Sequence, residues 1–152
     1  MIEKTISLPN ELFFKEVKAL LDEKKQVRIP VKGRSMRPFL QDGDTVVLDF
    51  VHSDSIRWGT IVLAQTTTCG IVLHRVVFKN KDKLWLMGDA HSRQREQTAA
   101  KNVLAVVIAA YRKEKELKLN SFGWRFTIVP WFLTLPFREY LLKIYDRLNQ
   151  KK

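Results

Sequence analysis

Apolar and polar positions follow three patterns in turn along this chain. Between residues 10 and 25, Phe13, Val17, Leu20 and Leu21 recur at i, i+4, i+7 and i+8. That spacing predicts a helix with one apolar face, and Pro9 and Asn10 suit its start. From residue 27 the pattern shortens. Val27–Lys32, Thr45–Phe50, Thr60–Gln65, Ile71–Phe78, Leu84–Met87 and Val103–Tyr111 are short β-rich runs joined by Gly, Asp, Asn and Ser. No βα alternation runs through them, so a parallel Rossmann-like sheet is not expected. Beyond residue 112 the character changes again. Phe122, Trp124, Phe126, Trp131 and Phe132 crowd together. A helix is predicted to follow near Pro136, with Phe137, Tyr140, Leu141, Ile144, Tyr145 and Leu148 on one face. The chain therefore divides into an N-terminal helix (1–26), a β domain (27–112) and a basic, aromatic, amphipathic tail (113–152).

At 152 residues the chain has one domain's worth of length and enough to bury a core. A single cysteine, Cys69, excludes an internal disulfide framework and a cysteine-based zinc cluster. Residues 1–25 are too charged for a secretory leader, and no run is long and apolar enough to span a membrane. A cytoplasmic location, peripheral to the membrane at most, is the expectation. The net charge of +11 is uneven. Residues 111–152 carry 10 Lys+Arg against 4 Asp+Glu, so this tail alone contributes +6. Such a tail suits an acidic partner, an anionic membrane surface or nucleic acid, or is simply a solvated face. Its apolar helix face could pack on the protein's own core, form a homodimer contact or lie on a membrane. Nothing resembles a recognition helix, so nucleic acid ranks last.

The candidate chemistry lies in the β region. In Gly33-Arg34-Ser35-Met36-Arg37-Pro38 a serine occupies a tightly bent segment between two predicted strands. Gly33 allows the bend and Pro38 fixes its own φ. A hydroxyl so placed can be aimed as a nucleophile once a base activates it. An ordinary polar loop is the competing account. Downstream, His74 interrupts the apolar run Ile71–Phe78, and strand alternation places it on one face with Val72, Val76 and Phe78. Gly88-Asp89 ends the next strand. There is no phosphate-binding glycine loop, and His52, His74 and His91 show no metal-ligand spacing. Neither a metal nor a cofactor is expected.

Gly-x-Ser-Met-x-Pro at 33–38, His74-Arg75-Val76, then Gly88-Asp89 and a closing strand resembles, in that order, the catalytic core of the LexA/signal peptidase clan over roughly residues 27–112. The resemblance implies a mainly β LexA/signal-peptidase-like fold, with an amphipathic helix at each end making the whole α+β. It implies a serine endopeptidase acting through an acyl-enzyme. Many members use a lysine base. His74 at that position is similar to the members with a Ser–His pair. Ser35 and His74 are thus the expected catalytic pair, with Asp89 as the acid that orients the imidazole. The later acidic position of the family falls near Arg95, so Glu96 or no acid at all are the alternatives. Gly33, Met36, Pro38 and Arg75, around these groups, are assigned to substrate binding. The substrate would be an extended peptide or protein segment. The N-terminal helix has no helix-turn-helix partner, so the DNA-binding domain of LexA-type repressors is not expected. No Ala-Gly or Cys-Gly pair lies in an N-terminal linker, so self-cleavage is not expected either. The alternative function is a degraded module of the same fold that binds a peptide without cutting it.

Overall fold

The computed structural model describes residues 10–52, 54–119 and 122–149, except for the side chains of 10 and 122–126. Pro9 and the side chains of Phe122, Trp124 and Phe126 therefore lie outside the described part. The chain opens with helix α1 (Asn10–Asp22). Strands β1 (Val27–Pro30), β2 (Thr45–Asp49), β3 (Ile61–Thr66), β4 (Gly70–Asn80), β5 (Lys83–Met87), β6 (Glu96–Ala99), β7 (Val103–Arg112) and β8 (Lys115–Leu117) follow. Helices α2 (Phe122–Leu133) and α3 (Arg138–Asn149) close it, with a 3-10 turn, Leu135–Phe137, between them. The strands form one curled antiparallel sheet in the order β1-β2-β7-β3-β4-β5-β6, with β8 alongside β7.

The curl explains how a sheet this small buries both faces. Along β3, Ile61 and Leu63 enter one core with Val17, Leu21, Ile29, Met36, Leu40 and Leu48. The alternate residues Val62 and Ala64 enter a second core with Ile56, Val76, Leu84 and Leu86. A strand buried on both sides reads as a continuous apolar run, as Ile61–Ala64 does. The sheet rolls far enough for Thr98 on β6 to donate its hydroxyl to the Gln65 carbonyl on β3, at 2.6 Å. Apolar α1 residues Val17 and Leu21 cap the first core, as the helical spacing predicts.

Two strands and one helix depart from the sequence reading. β6 is Glu-Gln-Thr-Ala, and its buried positions are the polar ones, Glu96 and Thr98. A search for alternating apolar residues passes over it. β8 is only three residues long. α2 is apolar on nearly every side and holds Pro130 inside it, so it shows neither an amphipathic period nor a tolerable helix interior. Trp131 compensates through packing. Its ring meets Phe39 edge-on with centroids 5.9 Å apart.

Candidate active site

Ser35 sits on the long loop from β1 to β2, and both ends of that loop are tied down. At its start Gly33 adopts φ +87°, a backbone region that costs glycine little. Its N–H donates to Asp42 Oδ1 at 2.7 Å across the loop. At its end the buried Asp44 carboxylate accepts from Arg112 Nε at 2.8 Å and Nη2 at 2.7 Å. The Gln41 N–H reaches the same carboxylate. Between these ties Met36 and Leu40 drop into the first core, at 2% and 0% exposure. Met36 thus anchors the bend from below and cannot contact a substrate, contrary to the expectation for it. Gly33 stays exposed and Pro38 half-buried, its peptide bond with Arg37 cis. Ser35 itself is half-buried. Its N–H donates to no acceptor among the described residues, while its carbonyl accepts from the Ala90 N–H at 2.8 Å.

His74 projects from the middle of β4, 5% exposed. Its Nδ1 lies 2.8 Å from Glu96 Oε2. Glu96 is itself buried and opens β6. With Nδ1–H donating to that carboxylate, Nε2 is the ring atom left to accept a proton. Nε2 turns toward Gly88. Arg75 pairs with Met87 across β4 and β5, so the register carried one residue further sets Gly88 opposite His74. A Cβ there would stand 2.6 Å from the Ser35 carbonyl oxygen, 3.1 Å from His74 Nε2 and 3.0 Å from His91 Nδ1. The absent side chain is what lets the serine loop, the histidine and the Gly88 loop converge. No hydrogen bond joins Ser35 Oγ to His74.

Asp89 was expected to orient the imidazole, and it does not reach it. Both of its carboxylate oxygens are taken by Arg75, from Nε at 2.7 Å and Nη2 at 2.6 Å. Arg75 Nη1 also donates to the Gly59 carbonyl at 2.7 Å. At 1% and 2% exposure, Arg75 and Asp89 form a buried fork. Fork geometry of this kind is rigid and directional. Arg75 is therefore not open to a substrate, again contrary to expectation. The pair fixes the Gly88–Asp89 turn, and Glu96 occupies the position next to the imidazole.

His91 went unassigned in the sequence, yet its ring lies 5.7 Å from that of His74, edge to face. Its Nδ1 is buried without a hydrogen-bond partner among the described residues. Burial above all, and then neighbouring His74, push this imidazole below the ordinary histidine range, with Glu96 opposing and Arg138 assisting. No sequence signal marks His91. Only the three-dimensional approach of its loop to β4 identifies it.

The C-terminal helices hold the same loops from outside. Arg138 on α3 is fully buried and donates to the His91 carbonyl at 2.6 Å and the Trp131 carbonyl at 2.9 Å. Trp131 Nε1 donates to the Asp89 carbonyl at 2.8 Å, and Ser92 Oγ to Glu139 Oε1 at 2.9 Å. On the serine loop, Arg37 pairs with Asp146 and Gln41 with the Tyr145 hydroxyl.

In chemical terms this is a hydroxyl on a braced bend, an imidazole held by a buried carboxylate, and an uncommitted backbone N–H beside the hydroxyl. No curated protein matches the chain. A family model described as Peptidase S24-like matches residues 2–108, a span that includes Ser35, His74, Gly88 and Glu96. With that match over most of its length, the chain belongs to the Peptidase S24-like family.

Proposed function

We propose that the protein is a serine endopeptidase in which Ser35 is the nucleophile, His74 the general base and then acid, and Glu96 the group that orients His74. The observation that carries this reading is the 2.8 Å contact of His74 Nδ1 with Glu96, which leaves Nε2 facing the Ser35–Gly88 junction. In the first step Nε2 takes the Ser35 hydroxyl proton as Oγ bonds to the peptide carbonyl carbon. The resulting oxyanion is met by the Ser35 N–H. The C–N bond then breaks, the amine leaves with the proton from Nε2, and Ser35 holds the acyl group. Water, deprotonated by the same nitrogen, releases the acid and restores the hydroxyl. Glu96 keeps Nδ1–H in place and stabilises the transient imidazolium. The substrate is an extended peptide. Among the described residues β1 pairs only with β2, so its other edge, leading into the Ser35 loop, offers backbone groups for strand addition.

The second reading, a module that binds a peptide without cutting it, is favoured by the missing hydrogen bond between Ser35 Oγ and His74. Serine-directed fluorophosphonate labelling, followed by a fluorogenic peptide library, separates the two. The peptidase reading expects labelling at Ser35 and turnover that Ser35→Ala lowers by about 10⁴-fold or more. Peptide binding with no turnover, unchanged in Ser35→Ala, would install the binding module instead.

A further inference from the structure

The amphipathic helix α3 turns its apolar stripe outward. Its inward face is engaged, since Arg138 and Leu142 are buried and Tyr145 and Asp146 meet the serine loop. Phe137, in the turn before the helix, and Leu141, Ile144 and Leu148, at i, i+4, i+7 and i+11, are exposed, Phe137 and Leu148 at 68% each and Leu141 and Ile144 at 36% and 39%. Tyr140 borders them at 67%, and Leu133 at the end of α2 is 78% exposed. Scattered exposed apolar residues need no explanation, but a contiguous row marks a contact surface.

We propose that this face docks the protein on an anionic lipid surface. The argument for that occupant is charge. Lys143 and Arg147 are exposed on the helix flank beside the stripe, and neither forms an ion pair among the described residues. They belong to a segment with 10 Lys+Arg against 4 Asp+Glu. A second copy would set like charges against each other. Anionic headgroups answer the cations while the acyl boundary takes the apolar row. α3 is about 18 Å long at 1.5 Å per residue, and no helix among the described residues is long and apolar enough to cross a membrane. It therefore lies in the plane of the interface. The proposal does not depend on the peptidase reading.

The test is flotation of the full chain with vesicles of phosphatidylcholine alone and of phosphatidylcholine mixed with phosphatidylglycerol. Binding to the mixed vesicles only, weakening steeply with added salt, is the expected result. The double variants Leu141→Ser/Leu148→Ser and Lys143→Glu/Arg147→Glu should each reduce it about tenfold or more, given roughly 1 kcal/mol per surface cation. Both alter exposed positions and should melt like the parent protein. The wild-type lipid and salt dependence stands as evidence even if one variant misfolds. Failure to float with mixed vesicles overturns the proposal, as does flotation that neither variant changes. A dimer in analytical ultracentrifugation that Leu141→Ser/Leu148→Ser dissociates would assign the face to a second copy. Salt-sensitive binding to duplex DNA without vesicle binding would assign it to nucleic acid.

Discussion

Two buried carboxylates make separate contacts, Glu96 with His74 and Asp89 with Arg75, and on the proposed reading single substitutions tell them apart. Glu96→Gln keeps the size of the side chain but lets the wrong imidazole tautomer form. It should lower turnover on the order of 10⁴-fold with little change in melting temperature, measured on the substrate found by the peptide screen. Arg75→Ala strands the buried Asp89 charge. Its main effect should be on folding, about 3–5 kcal/mol by urea denaturation. The reverse pattern, Glu96→Gln unfolding the protein and Arg75→Ala leaving it stable, would exchange the two assignments. Gly88 tests the convergence itself. A methyl group there meets the Ser35 carbonyl at 2.6 Å, and displacing the serine by about 1 Å should cost roughly 10²-fold in turnover. His91 supplies a pH signature. Its pKa is depressed in the folded protein, so its neutral form favours folding above the unfolded value of about 6.5. That contribution is lost as pH falls from there toward the folded pKa. Thermal melts from pH 7.5 to 5 should show a steeper loss for the parent than for His91→Gln.

At the level of elements, legibility followed burial chemistry. α1 buries apolar side chains at the helical period, and β2, β3, β4, β5 and β7 are apolar runs buried on one face or on both, so the sequence shows them within a few residues. Ser35 and His74 could be singled out because a Gly-x-Ser-Met-x-Pro bend and a histidine in an apolar strand are locally unusual. Glu96 was visible only as a neighbour of the expected acidic position. It belongs to β6, whose inward positions are polar, so the strand that carries the carboxylate is the strand that hydrophobic pattern misses. Asp89 was misassigned because a Gly-Asp turn looks alike whether its carboxylate faces a histidine or an arginine. Arg75, next to His74, projects toward that turn, and nothing local in the sequence reveals the pairing. α2 escaped for the opposite reason, being too uniformly apolar to show a period.

Across the molecule, the sheet supplies the pieces of the site and the C-terminal helices brace them. Arg138, Glu139, Tyr145 and Asp146 reach the His91 and Ser35 loops from more than forty positions away in sequence. Replacing Arg138 with Met should therefore speed hydrogen exchange at the amides of 88–92 while leaving those of β3 and β7 protected, as mass spectrometry can map. Equal protection in both proteins would reduce α3 to a passive cover.

The bracing has a consequence in time. Ser35, His74 and Glu96 all precede Arg138 in the chain, so every catalytic candidate is synthesised before the residue that braces its loops. On the proposed peptidase reading, the loops that carry the chemistry are fixed only once the C-terminal helices are in place.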